Sequence, residues 1–174
     1  MKKSLLLTCL IICSFSVFSQ KETQFEKRKF IGLEMATGTL VDHYTMWERA
    51  TFNVGLNFEQ QFSKHLGYVA GIGINRHVDV DHNIFSTLAE NNLGVKYYSK
   101  AINLLVGVHT QTVLSVDSKE YYWSTGILLG PYIQLSKELK FAQNWLLEPF
   151  IKAKFESQSE PTMMLGLKCK YLLK

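Results

Sequence analysis

The sequence predicts an all-β chain, an eight-stranded antiparallel up-and-down transmembrane β-barrel preceded by a cleaved signal peptide. Three observations predict it. The N-terminus has the form of an export signal, apolar and polar residues alternate with a period of two along eight segments, and all eleven glycines lie on the polar side of that alternation.

Export comes first. Lys2 and Lys3 form a short basic region, Leu5 to Phe18 is largely apolar, and Val17-Phe18-Ser19 places acceptable side chains where signal peptidase reads the chain. Residues 1–19 are therefore expected to be a signal peptide, 20–29 a short N-terminal segment and 30–174 the barrel domain. The apolar stretch falls short of the roughly 18–20 residues that a spanning helix needs. Leu10-Ile11-Ile12-Cys13 outlines a lipobox, but Ile12 is too bulky to precede a lipidated cysteine.

The segment carries two of the 19 basic residues and none of the 15 acids, so its removal lowers the formal charge from +4 to +2. That balance, with no basic cluster, argues against nucleic acid as a partner. Cys9 and Cys13 leave with the segment, so Cys169 has no cysteine to pair with.

The strands follow in order. Ile31 to Thr37 is the first. Phe52, Val54, Leu56 and Phe58 then alternate with Asn53, Gly55 and Asn57, which suits a strand and no helix. Leu66, Tyr68, Ala70, Ile72 and Ile74 oppose Gly67, Gly71, Gly73 and Asn75. Leu93, Val95 and Tyr97 oppose Asn92, Gly94 and Lys96, and Leu104, Val106 and Val108 oppose Asn103, Gly107 and His109. Ile127, Leu129 and Ile133 oppose Gly126, Gly130 and Gln134. Leu147 to Phe155 and the run from Met163 to Tyr171 complete eight. Ser63-Lys64-His65 and Ser99-Lys100 read as tight turns, whereas Thr39–Arg49, His77–Ile84, Ser115–Tyr121 and Glu156–Pro161 read as longer loops. Ser136 to Asn144 is too long for a tight turn and suits a small helix or extended strands. Pro131 and Pro149 interrupt two strands, and their equal distance from residue 140 suggests that they face each other across one hairpin.

Alternation alone does not say which face is outside. Glycine on a water-facing surface would only weaken a strand, but in the narrow interior of an eight-stranded barrel it relieves crowding. The glycine face is therefore expected inside and the aliphatic face in lipid, with Phe62, Tyr68, Tyr97, Phe155 and Tyr171 as an aromatic girdle. The same parity turns Glu34, Glu59, Glu90 and Glu148 into the lumen together with Lys96, Lys152, Lys154 and Lys168. Opposite charges in so small a space are expected to pair and form a polar plug, in preference to an ion path.

Little suggests chemistry. Asp79, Asp81 and Asn83, with Glu90 at the twelfth position, resemble an EF-hand on paper, but Ile84 stands where the turn needs glycine. They remain a weak metal candidate on a loop, with His77 beside them. His43, His77, His82 and His109 accompany no nucleophile motif, and His109 is expected in the polar lumen. Cys169 on the lipid face behaves as a small hydrophobe. Tyr44 and Trp47, in the first long loop, are expected at the membrane–water boundary or in surface recognition.

Laid out in this way, the chain resembles the family of small outer-membrane β-barrels that includes OmpX-like and OmpA-barrel-like proteins. The likeness rests on the exported N-terminus, Asn92-Leu93-Gly94-Val95-Lys96-Tyr97-Tyr98, Gly126-Ile127-Leu128-Leu129-Gly130-Pro131 and the apolar strand from Met163 to Leu173. The chain ends Tyr171-Leu172-Leu173-Lys174, where family members usually end on an aromatic residue. The resemblance implies integration in the outer membrane, with outer-membrane lipid and the assembly machinery as partners, and a structural or surface-interaction role through the loops. It transfers no catalytic residue. No cofactor and no catalysis are expected, and the chain is expected to be a monomer. A soluble periplasmic lipocalin-like barrel with an apolar ligand in its lumen is the alternative, followed by a lipid-modifying barrel enzyme.

Overall fold

Strands account for most of the computed structural model, which describes residues 27–40, 49–79, 84–117, 127–155 and 161–173. They are β1 (Lys29–Leu40), β2 (Arg49–Gln61), β3 (Leu66–Asp79), β4 (Ile84–Tyr97), β5 (Asn103–Asp117), β6 (Ile127–Ser136), the two-residue β7 (Leu139–Lys140), β8 (Trp145–Lys154) and β9 (Thr162–Leu173). Each long strand pairs antiparallel with the next, β6 pairs with β8, and β9 returns to β1. The result is a closed, eight-stranded up-and-down barrel with no free edge, the condition for strands to survive without water at their backbone groups.

The tight turns form where side chains can close them. Ser63 Oγ accepts hydrogen bonds from the backbone N–H of His65 and Leu66 at 3.2 and 2.9 Å. Ser99 Oγ does the same for Ala101 and Ile102, while Asn103 Oδ1 accepts from the Ser99 N–H at 3.1 Å. Between Ser136 and Asn144 the chain extends instead of turning at once: β7 pairs Leu139 with Leu147 and Lys140 with Leu146, and Ala142 to Asn144 make the bend. At the other end the strands run further than alternation alone indicated. His77, expected in a loop, lies within β3, where its backbone pairs with Thr51 and Ser86.

The two prolines do not face each other. The β6–β8 register places Tyr132 opposite Lys154 and Ser136 opposite Phe150, so the hairpin is centred three residues beyond the midpoint of the prolines. The Phe155 N–H donates to the Pro131 carbonyl at 3.0 Å and the Lys137 N–H to the Pro149 carbonyl at 3.2 Å. A hydrogen-bonded antiparallel pair normally exchanges two bonds, so each proline omits its return bond on this same seam. The β6–β8 ladder is thereby limited to five residue pairs, whereas β3 and β4 share fourteen.

The two faces are sharply different. Outward lie Ile72, 60 % exposed, and with it Leu33, Leu56, Leu93, Val108 and Leu129 among many others. Inward lie charged and amide side chains with a few large apolar ones, Phe30, Val69, Leu105, Tyr132, Phe150 and Met164. The inward aromatics need glycine beneath them. A Cβ on Gly166 would come within 2.2 Å of the Phe150 ring, and one on Gly107 within 2.7 Å of the Tyr132 ring. Phe150 and Gly166 are register partners, as are Tyr132 and Gly107. Glycine therefore marks the crowded interior, because a ring from the neighbouring strand occupies the space of its missing side chain.

Candidate functional site

The lumen holds three ionic layers, stacked from the short-turn end upward. Nearest the turns, Lys96 Nζ lies 3.1 Å from Glu59 and 2.6 Å from Glu148, and Lys170 Nζ lies 3.1 Å from Glu59 and 2.6 Å from Glu148. Glu138 reaches in from the connection after β6 to meet both lysines, at 3.1 and 2.6 Å. The Tyr98 hydroxyl donates to Glu59 at 2.7 Å and the Ser136 hydroxyl to Glu148 at 2.5 Å. In the middle, Glu34 pairs with Lys152 and, at 3.2 Å, with Lys168, and accepts from Asn57 at 3.1 Å. Above them Glu90 takes Lys154 and the amides of Asn75 and Gln111.

This arrangement places all eight lumen residues read from the sequence, Glu34, Glu59, Glu90, Glu148, Lys96, Lys152, Lys154 and Lys168, on the inside of the wall, each 4 % exposed or less. Two further members complete it. Lys170 shares the parity of Lys168 and was accessible to the same argument. Glu138 lies in a connection, where no alternation indicates direction, and only the folded chain brings it to Lys96 and Lys170. With them the described lumen contains five glutamates and five lysines, so the charge closes.

Burial shapes the ionisation at the accessible end. Burial alone would push the Glu138 carboxyl up, but Lys170 and Lys96 beside it more than compensate and hold it below its ordinary value. Burial raises the Tyr98 hydroxyl, and the Glu59 carboxylate that accepts its hydrogen bond raises it further. Tyr98 is therefore a permanent donor.

The carboxylates of Glu59, Glu138 and Glu148 converge within 4.8 Å, a spacing that could hold a cation. Lys96 and Lys170 already provide the positive charge there, so the group is a satisfied ion-pair cluster. Of the weak metal candidate read from the sequence, Asp79 ends β3 opposite Arg49 and Ile84, and Asp81 and Asn83 lie outside the described residues, as do Tyr44 and Trp47. Glu90, the nominal twelfth ligand, points into the lumen towards Lys154. His109 is enclosed beside Tyr132, ring centres 6.3 Å apart, and neither ring nitrogen has a hydrogen-bond partner among the described residues.

Outside, rings gather at the short-turn end. Trp145 meets Tyr171 edge-on at 5.0 Å, Phe141 lies 6.4 Å from Trp145, and Tyr97 stacks on His65 at 5.8 Å. Phe62 and Tyr68 are exposed at the same level, and Phe155 is exposed at the opposite end. Cys169 is a free thiol on the outward side of β9.

No protein-family model matches the chain, and no curated protein is found to be significantly similar to it in sequence. Solved structures are similar in shape. The attachment invasion locus protein Ail of Yersinia pestis, in complex with the heparin analogue sucrose octasulfate, superposes with a TM-score of 0.60 at 11 % identity, covering 86 % of this chain and 100 % of Ail. The outer membrane protein OprG of Pseudomonas aeruginosa gives 0.58 at 12 % identity over 83 % and 96 %. The N-terminal β-barrel domain of OprF from the same organism gives 0.52 at 9 % over 84 % and 100 %. The chain thus has the fold of small outer-membrane eight-stranded barrels.

Proposed function

We propose that the protein is an integral outer-membrane barrel that acts structurally or through its extracellular loops in surface interaction, without catalysis. One observation carries this reading: the barrel is apolar outside and ionic inside. In water that arrangement would expose a continuous apolar belt far larger than the few hundred Å² a soluble monomer tolerates. In a bilayer the belt is solvated by lipid, the closed ladder satisfies the backbone and the ion pairs are sheltered. A soluble lipocalin-like barrel needs the reverse, an apolar lumen for its ligand, and this lumen is filled by lysine, glutamate and amide side chains. Export through the N-terminal signal fits the same destination. The structural neighbours support the reading by fold, and lipid and the assembly machinery are the partners it requires.

Cell fractionation with gel mobility, before and after boiling, tests it. The expected result is recovery in the outer-membrane fraction, only with detergent, and a band whose mobility changes on boiling. Release into the periplasm without detergent would overturn the proposal.

A further inference from the structure

The outer wall is not uniform. Where β6 meets β8, near the short turns, a cleft of about 470 Å³ opens outward, lined by Ile102, Leu135, Pro149, Ile151 and Leu165, with Lys137 beside them. This is a volume within the roughly 300–1,000 Å³ of small-molecule sites. Its floor is the β8–β9 pair Phe150 and Gly166, whose side-chain positions lie on the lumen side, between the outward Pro149, Ile151 and Leu165. Lys137 Nζ donates to the Lys100 carbonyl, which joins the mouth of the cleft to the turn between β4 and β5.

Charge is distributed unevenly around this cleft. Every acid whose side chain is described, Glu34, Glu59, Glu90, Glu138 and Glu148, is turned into the lumen. Among the described residues, the exposed charges at the short-turn rim are Lys27, Lys29, Lys64, Lys100, Lys137 and Lys140, all basic. An apolar slot with the Lys137 ammonium at its mouth and Lys100 in the adjoining turn has the chemistry of an anionic lipid: a hydrocarbon tail for the slot and a phosphate for the basic rim.

We infer that this cleft binds one acyl chain of an anionic phospholipid, with Lys137 and Lys100 holding its phosphate. The inference rests on the membrane reading above and adds a specific lipid site to it. A zwitterionic lipid could seat its tail equally well, but its headgroup would carry no net charge to the basic rim.

The experiment takes the protein extracted from membranes, exchanges it into vesicles of mixed phosphatidylcholine and phosphatidylglycerol, and reads retained lipid by native mass spectrometry. The parent is expected to keep phosphatidylglycerol roughly thirtyfold over its share of the mixture, the scale set by two lysines near an anionic surface. Lys100→Glu with Lys137→Glu, both exposed and outside the ladder, should abolish that preference. Leu135→Trp, which fills the slot from the lipid side, should lower retention of both lipids. Heat-dependent gel mobility confirms that each variant has folded. Retention by the parent in proportion to the mixture overturns the site, as does a folded Leu135→Trp variant that retains lipid like the parent. A chain that enters no vesicle overturns the membrane reading as well; one that inserts without selecting a lipid overturns this inference alone.

Discussion

Lys96 Nζ lies 2.6 Å from Glu148 Oε1 although the two residues are 52 positions apart and their strands, β4 and β8, share no ladder. The bond crosses the lumen. It makes the ion pairs a set of struts between opposite walls, which neighbouring-strand hydrogen bonds cannot provide.

Glu148→Ala should therefore be among the most damaging single changes. It would leave Lys96 and Lys170 short of a counter-charge and the Ser136 hydroxyl without its acceptor. Removing one member of a buried pair costs about 3–5 kcal/mol. Denaturant unfolding of the refolded barrel measures it, and a loss below about 1 kcal/mol, the worth of a surface pair, would show that the network is solvated.

Gly166→Leu should destabilise the β8–β9 wall by forcing the Phe150 ring away, an overpacking penalty of about 1–3 kcal/mol. Phe150→Ala in the same chain should recover part of the loss. Recovery is partial because the Met35 carbonyl would also lie only 2.7 Å from the new Cβ. An absence of any coupling in the double-mutant cycle would contradict the packing described.

Acid should loosen the turn end through Glu138. Its carboxyl is held below the ordinary 4.5, so its contribution to stability is full above that value and is lost as pH falls through the lower folded value. Glu138→Gln should be less stable than the parent at neutral pH, and the gap should narrow as pH falls below about 4. A gap that stays constant down to pH 2 would mean that the carboxylate charge is not what stabilises the end.

Ile72→Arg separates the two environments. At the middle of a lipid-facing strand it should cost about 2–4 kcal/mol in bilayers. In an aqueous surface strand the change would be close to neutral, so an unaffected stability in lipid vesicles would place this face in water.

The proline-bounded seam should open first. Amides of residues 132–136 and 150–154 that bridge β6 and β8 are expected to exchange with solvent deuterium before those of β3 and β4. Uniform protection around the ring would show that five pairs hold as well as fourteen.

How much of this was legible beforehand follows from periodicity. A strand repeats every two residues, so Phe52 to Phe58 declares both its conformation and the face of Asn53 and Asn57 without reference to any other strand. Glycines such as Gly107 and Gly166 identified the inside because only a crowded interior benefits from losing a side chain. Tyr132 and Phe150 were readable from the same parity, through Gln134 and Lys152, although a polar-face argument passes over them. Register was another matter. The expectation that Pro131 faces Pro149 assumed a hairpin centred on residue 140, and the β7 extension moves that centre along the chain.

The sequence by itself determined the strands, their inward and outward faces and the residues available to the lumen, because these are local consequences of alternation and side-chain size. Only the tertiary structure decided which charges meet, that Glu138 joins Lys96 and Lys170 from a connection, that both prolines weaken one seam, and that a cleft opens beside it. Those depend on ring closure and strand stagger, which set distances between residues far apart in the chain and leave no periodic trace in it.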